Sequence, residues 1–334
     1  MTAAGAAYLA LYRPRRDPRE RGRVVIDYWE KWTGQEALAM QRQVDLYNDA
    51  QSRVFVRYFS VGAIAEKSLV AIAGGSPPDV VGLWDDKIPA FLESGAITPL
   101  EELDAEWGAQ TERFIAERFG EADVRLRSAR YAAPIWRLMT HDGRVGGAPN
   151  TCSSLALYLS MQAMQEAGAR GLPRTIDELD ALSDAMVVRD GQGRIRRAGF
   201  MHSEPGWWKW IWGSFFGGRI YDEATDAAVI ASEENLRGYR WMQSYPERYG
   251  AWALGQFQSG FGGYNSLEQP ILAGKVGMIL QGPFVANVFA AFAPEFAYVA
   301  CPFPVARGLE DESAPVGMIE GDMLCVPRGC RHPK

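Results

Sequence analysis

Val24-Val25-Ile26-Asp27-Tyr28-Trp29 opens the stretch that decides the fold, which runs to Gly95. Residues 24–29 form an unbroken, β-branched run and read as a buried strand. From Gln35 to Gln51, Ala37, Met40, Val44 and Tyr47 recur at helical spacing. Val54 to Val61 is rich in Val and Phe and reads as a second strand. Ala63 to Ala73 reads as a helix closed by Gly74-Gly75, after which Ser76-Pro77-Pro78 forces a turn. Asp79 to Trp84 is a third strand, and Asp86 to Ser94 a helix ended by Gly95. Strand and helix alternating at this short spacing predict βαβ units and a parallel sheet.

Further along, Tyr131 to Trp136 reads as a short strand, Asp142 to Ser154 as a polar, Gly-rich loop, and Leu155 to Ala167 as a helix ending at Gly168. Thr175-Ile176-Asp177-Glu178 is a capping box, in which Thr175 and Glu178 satisfy two orphan amides at a helix start. Arg197–Met201, Val276–Leu280, Phe296–Pro302 and Asp322–Pro327 read as later strands. The chain is α/β throughout, with no internal repeat and no low-complexity linker.

Composition narrows the function. The chain has 334 residues, enough for two domains, and its net charge of −6 offers no basic field to a nucleic acid. Trp is over-represented, at 11 residues. The indole is mostly apolar, so some of these are core and the rest need another reason to exist. Cys152, Cys301, Cys325 and Cys330 form no CxxC pair, and His141, His202 and His332 are scattered. That pattern supports neither a metal site nor a cofactor. Buried free thiols and a disulfide both remain open. The opening residues, MTAAGAAYLALYRPRR, are apolar and then basic, too short to span a bilayer and without the basic start of a signal peptide. Residues 1–22 therefore read either as the tail of an export signal or as a disordered terminus.

Several segments, in order, resemble the family 1 extracellular solute-binding proteins of ABC importers, the maltose/sugar-binding-like group. They begin with Val25-Ile26-Asp27-Tyr28-Trp29 and Trp32-Thr33-Gly34. Pro78-Asp79-Val80-Val81, Gly95 and Thr98-Pro99-Leu100 match a "PD-apolar-apolar … G-x-apolar-x-PL" block. Tyr131-Ala132-Ala133-Pro134-Ile135 looks like the first crossing between domains. Ala167-Gly168 with Pro173 to Leu179 looks like "AG … P-x-T-W-x-E-L". Ala273-Gly274-Lys275-Val276-Gly277-Met278 and Gln281-Gly282-Pro283-Phe284 resemble "G-K-x-A-M … G-P-W", and Asp322 to Pro333 a return strand with "P-x-G-x-x-H-P". Each block alone is weak, but their order over residues 24–333 is specific. The resemblance implies a two-lobed, periplasmic-binding-protein type II-like α/β fold with hinge strands and ligand in the cleft. Lobe 1 would take residues 23–133 plus 319–334, and lobe 2 residues 137–317. It also implies a monomer that delivers its ligand to the membrane subunits of an importer, in the periplasm or on the cell surface. Three departures stand out: Tyr158-Leu159-Ser160 replaces Tyr-Asn-Lys, Phe284 replaces a Trp, and the chain ends at Lys334 where the family continues. The last suggests a truncated chain, with incomplete lobe 1 and weakened stability and binding.

Sugars offer C–H faces to aromatic planes and hydroxyls to carboxylates and amides, so a sugar site is aromatic and acidic together. Trp84, Asp85 and Asp86 follow the carboxyl end of a strand, where open α/β sheets bind ligands. The resemblance sets a sugar-binding Asp on Asp86; alternatively Asp85 caps the next helix. It also sets a sugar-binding Glu on Glu204 and an aromatic near Trp207 or Trp208. If residues 207–216 are helical, Trp208, Trp212 and Phe215 share a face; Trp210 reads as core. Trp29 and Trp32 end the first strand, Trp136 follows the first crossing, and Phe284 begins a helix beside the family's cleft. Tyr264, in a Gly-rich loop, and Glu320, in a later crossing, are weighed against solvated loop positions. Two other classes compete. A glycoside hydrolase would use Asp86 and Glu204 as its acid and base. A binder of a polyamine or another small polar solute would use the same aromatic and acidic walls. Phosphate is disfavoured, with Lys31 and Arg137 as the obvious cations.

Overall fold

The computed structural model describes residues 17–120, 125–311 and 316–333; residues 1–16 of the proposed leader lie outside them. The chain divides into two compact units, Met1–Cys152 with Gly321–Lys334, and Ser153–Glu320. The first unit holds β1 (Val24–Glu30), α1 (Gly34–Ala50), β2 (Val54–Ser60), α2 (Ile64–Ala73) and β3 (Val80–Trp84). A short 3-10 turn, Asp85–Lys87, leads to α3 (Ile88–Glu93), β4 (Ile97–Thr98) and α4 (Leu100–Phe119). Then come α5 (Ala133–Met139), β5 (Thr140–His141), β6 (Arg144–Val145) and β7 (Ala148–Ser154). In the second unit follow β8 (Ala156–Ser160), α6 (Met161–Glu166), α7 (Ile176–Met186), β9 (Val188–Arg189), β10 (Ile195–Phe200), β11 (Tyr221–Asp222) and β12 (Ala227–Ala228). After these lie α8 (Glu233–Tyr249), α9 (Ala251–Gln258), β13 (Val276–Gln281), α10 (Val285–Phe292) and β14 (Tyr298–Cys301). The final strand, β15 (Ile319–Pro327), returns the chain to the first unit.

Among the described residues the first unit carries a six-stranded sheet of order β2-β1-β3-β15-β4, with β7 pairing β15. β1 is parallel to β2 and β3, as the alternation of strand and helix requires. β15 is antiparallel to β3 and β4, so the sheet is mixed rather than parallel throughout. Among the described residues no helix lies between β14 and β15, which arrives as a return strand. Val81, Leu83, Met323 and Cys325 on β3 and β15 are fully buried and pack with Ile88, Leu92 and Met139. The second unit's sheet has the order β14-β8-β13-β10-β9. Phe200 at the end of β10 centres its core, with ring centroids of Trp212, Trp241, Tyr245 and Phe303 between 5.5 and 6.2 Å away.

Four local readings change. Tyr131–Trp136 is not a strand: helix α5 begins at Ala133, with Pro134 in its first turn, where a missing N–H costs nothing and a fixed φ favours the helix. The presumed loop 142–154 holds the turn and second strand of the β5–β6 hairpin, and then β7. Its turn, Asp142-Gly143, has φ of +50° and +73°, the geometry of a two-residue hairpin loop. The presumed helix from Leu155 is strand β8 and then α6, capped by Ser160. Leu157, Tyr158 and Leu159 are all buried, and a strand covered on both faces reads as a continuous apolar run. Residues 207–211 are irregular, with a turn at 209–210, and only a 3-10 helix, Trp212–Phe216, follows. Trp208, Trp212 and Phe215 are nevertheless buried, while Trp210, expected in the core, is 49% exposed. All four cysteines are free, and Cys325 alone is buried.

The capping box forms as read. Glu178 N donates to Thr175 Oγ1, and the Thr175 N–H donates to Glu178 Oε2, each at 3.2 Å. Thr175→Ala should cost about 1 kcal/mol, the ordinary worth of such a cap. Urea denaturation followed by circular dichroism should show a lower midpoint at unchanged slope; an unchanged midpoint would show that α7 is held by packing alone.

Candidate functional site

The carboxyl end of β1 places charge out of water. Successive side chains on a strand alternate faces, so Tyr28 and Glu30 lie on one side and Trp29 on the other. Glu30 is fully buried. Its Oε2 accepts from Tyr28 Oη at 2.6 Å, and its Oε1 from the Lys31 N–H at 2.8 Å and from Lys31 Nζ at 3.0 Å. Lys31 Nζ also lies 2.6 Å from Asp322 Oδ1. Burial, reinforced by the Glu30 charge, holds the Tyr28 phenol far above its ordinary pKa. Gly82 on β3 makes the room: a Cβ there would stand 2.0 Å from Glu30 Oε2.

The same ammonium organises two indoles. Lys31 Nζ is 5.5 Å from the Trp32 ring centroid and 5.2 Å from that of Trp84, which is 46% exposed. This is cation–π range for both rings. Asp85 opens the 3-10 turn, and the N-cap of α3 is Lys87. Asp85 Oδ1 accepts from the Gly321 N–H at 3.0 Å, where β15 passes β3 with Asp322 in register with Trp84. Asp86 is exposed and pairs with Lys87 at 2.8 Å. Trp29 and Trp136 stand apart from this group, packed on the first unit's core, and Trp136 lies against Tyr131 at 5.8 Å.

A second group assembles in the other unit. Trp207 is half exposed, with ring centroids of Tyr264, Trp208 and Phe284 at 5.3, 5.5 and 6.5 Å; Tyr264 and Phe284 lie 6.1 Å apart. Phe284 leads into α10 and folds back over Gly282, where a Cβ would come within 2.2 Å of its ring. Trp208 is buried, and its Nε1 donates to Glu320 Oε2 at 3.0 Å. Ser153 Oγ donates to Glu320 Oε1 at 2.9 Å. Glu320 is therefore a fixed acceptor at the start of β15, not a solvated loop residue. Glu204 sits half-buried three residues before Trp207. Among the described residues no donor or cation meets its side chain, and burial pushes its pKa up from 4.5 to about 7.

Of the residues singled out in the sequence, Trp32, Trp84 and Asp85 thus gather in the first unit, and Trp207, Trp208, Tyr264, Phe284 and Glu320 in the second. Glu30, Asp322, Ser153 and Thr151 were missed as partners. The only signal for Glu30 was an oppositely charged neighbour, Lys31, at the end of a buried strand. For Ser153 and Thr151 no local signal exists, since their partners lie 167 and 171 residues away.

The chain belongs to the bacterial extracellular solute-binding protein family, which matches residues 34–334. Its fold is that of the sugar-binding periplasmic proteins. A structure of CpMnBP1 with mannotriose bound is 23% identical, with a TM-score of 0.75, covering 93% of this chain and 75% of that one. The GacH receptor of Streptomyces glaucescens, solved unliganded and with acarbose, is 17% identical at a TM-score of 0.70, covering 92% and 72%. UgpB from Mycobacterium tuberculosis, in complex with glycerophosphocholine, is 19% identical at a TM-score of 0.70, covering 93% and 72%.

Glu204 gives the site a pH signature. Its pKa in the fold stands above its ordinary value, so the fold favours the neutral acid. The stability attached to this group is complete below about pH 4.5 and is lost as pH rises through about 7. Between about pH 5 and pH 8 the ligand-free protein should lose more melting temperature than Glu204→Gln, whose side chain stays neutral. Parallel melting curves for the two proteins would contradict this assignment.

Proposed function

We propose that this chain is the solute-binding component of an ABC importer, acts outside the cytoplasm as a monomer, and takes a carbohydrate as its solute. One observation carries the reading: Trp207 is half exposed, yet fixed by Trp208, Tyr264 and Phe284, and close in sequence to the carboxyl of Glu204, which has no partner among the described residues. A rigid aromatic plane suits the C–H face of a sugar ring, and a carboxyl without a protein donor suits its hydroxyls. A hydroxyl donated to Glu204 favours its charged form, which offsets the desolvation that burial imposes.

The competing solutes fit less well. A polyamine needs free carboxylates, and most of the acids here are already engaged. Glu320 accepts from Ser153 and Trp208, Asp322 from Lys31 and Thr151, Asp85 from Gly321, and Asp86 pairs with Lys87. A phosphate needs a free cation, and Lys31 is held between Glu30 and Asp322. A glycoside hydrolase would need Asp86 and Glu204 at one fixed separation, but they belong to different units. The similar structures with mannotriose and acarbose bound make manno- and gluco-oligosaccharides the first compounds to test.

A thermal-shift panel of mannobiose, mannotriose, maltotriose, monosaccharides, spermidine and glycerophosphocholine should give its largest stabilisation with an oligosaccharide. At a hundredfold excess over Kd the gain is about 2.7 kcal/mol. Stabilisation by spermidine or glycerophosphocholine alone would refute the carbohydrate reading. Trp207→Ala should weaken the sugar about ten- to a hundredfold, as expected for losing roughly 1.5–3 kcal/mol of buried aromatic surface. Calorimetry on the folded variant checks this, and wild-type affinity would remove Trp207 from the site.

A further inference from the structure

The chain passes between its units twice, from Cys152 to Ser153 on β7 and from Glu320 to Gly321 on β15, and these strands pair. Residues two apart on a strand share a face. Thr151 and Ser153 therefore form one such couple, and Glu320 and Asp322 another. Their side chains meet in two rungs: Ser153 Oγ donates to Glu320 Oε1 at 2.9 Å, and Thr151 Oγ1 donates to Asp322 Oδ2 at 2.6 Å. Each rung lies within one unit.

Both carboxylates use their second oxygen in the same way. Glu320 Oε2 accepts from the indole N–H of Trp208, which packs edge-on against Trp207. Asp322 Oδ1 holds the Lys31 ammonium, which lies against Trp32 and Trp84. Between the two acids, the Gly321 N–H donates to Asp85, the neighbour of Trp84. An indole has one polar hydrogen and no acceptor, so a single partner fixes how Trp208 is turned. The ammonium of Lys31 has three donors, and two carboxylates fix where it stands.

We propose that Glu320 and Asp322 are positioning residues, each for the candidate solute-binding indoles of its own unit. Each ties the indoles of its own unit to the strand pair that joins the units, so strand pairing and indole orientation are set together. Bonds to charged acceptors are the strong ones, so a rotated Trp208 would forfeit a charge-assisted bond and leave a buried N–H without a partner. The proposal rests on the preceding reading that these indoles contact solute, but the positioning itself is a property of the ligand-free protein.

The test labels the indole nitrogens with 15N and follows the Trp N–H resonances without ligand, assigning Trp208 through Trp208→Phe. Glu320→Ala should move the Trp208 resonance and, through the ring contact, that of Trp207. It should also weaken mannotriose or maltotriose, whichever the wild type binds, by about tenfold or more. Glu320→Gln keeps an acceptor for Trp208 and an amide for Ser153, and should restore the resonance and most of the affinity. Asp322→Asn should move Trp32 and Trp84 and leave Trp208 in place. If Glu320→Ala fails to fold, Ser153→Ala removes the rung alone and should still shift the Trp208 resonance. An unmoved Trp208 resonance in the folded variant overturns the proposal whatever the solute is. A moved resonance with unchanged affinity overturns the role in the site. A moved resonance in a protein that binds neither sugar sustains the positioning and instead defeats the carbohydrate reading.

Discussion

Lys31 Nζ stands 3.0 Å from Glu30 and 2.6 Å from Asp322, and the side chains of Lys31 and Glu30 are almost wholly out of water. Burying charge is costly unless every lone pair and proton finds a partner. Here Glu30 also takes Tyr28 and a backbone N–H, while Asp322 also takes Thr151. The gain over an apolar core is small by general experience, but removing one partner would strand a buried charge at about 3–5 kcal/mol. The cluster thus works as a specification more than as a source of stability. It fixes the end of β1 against β15, requires glycine at position 82, and sets the cation between Trp32 and Trp84.

The second unit reaches rigidity by a different route. Its core is a ring lattice around Phe200, in which Trp212, Trp241, Tyr245 and Phe303 contact one another as well as Phe200. Two polar tips find a partner at the edge of the lattice, where Trp241 Nε1 and Tyr245 Oη both donate to Asp180, while the buried Trp212 Nε1 has no partner among the described residues. Large aromatics with a satisfied polar end bury much area at little conformational cost. Trp207 and Trp208 extend this aromatic unit outward, so the exposed indole stands on a packed base rather than on a loose loop.

Residues 24–95 were legible because each strand carried an apolar run and two of the three helices a clear stop at glycine. What failed did so for physical reasons. Leu155–Ala167 looked helical because β8 is covered on both faces and has no polar alternation. Ala132-Ala133-Pro134 looked extended because proline disfavours helix interiors, but Pro134 occupies the first turn, where that objection lapses. At the site, residue types were readable and partnerships were not. The tryptophans advertised themselves locally and Glu204 came from the family resemblance, whereas the bonds from Ser153 to Glu320 and from Lys31 to Asp322 join residues far apart in the chain.

Exposure alone does not mark a binding indole. Trp210 and Trp252 are 49% and 80% exposed, comparable to or beyond Trp84 and Trp207. What separates the pairs is what lies against them. Trp84 has the Lys31 ammonium and Trp207 has three rings, whereas among the described residues no ring or cation packs on Trp210 or Trp252. A ligand that stacks on a mobile side chain must first bear the cost of ordering it, on the order of 0.5–1.5 kcal/mol for each such side chain. A ring already held has no such cost to charge against affinity. The sites of Trp84 and Trp207 therefore differ in kind from ordinary exposed tryptophans. In both, the holding group is itself fixed by a carboxylate on β15 or by a neighbouring ring, so stiffness at the surface is inherited from bonds made below it.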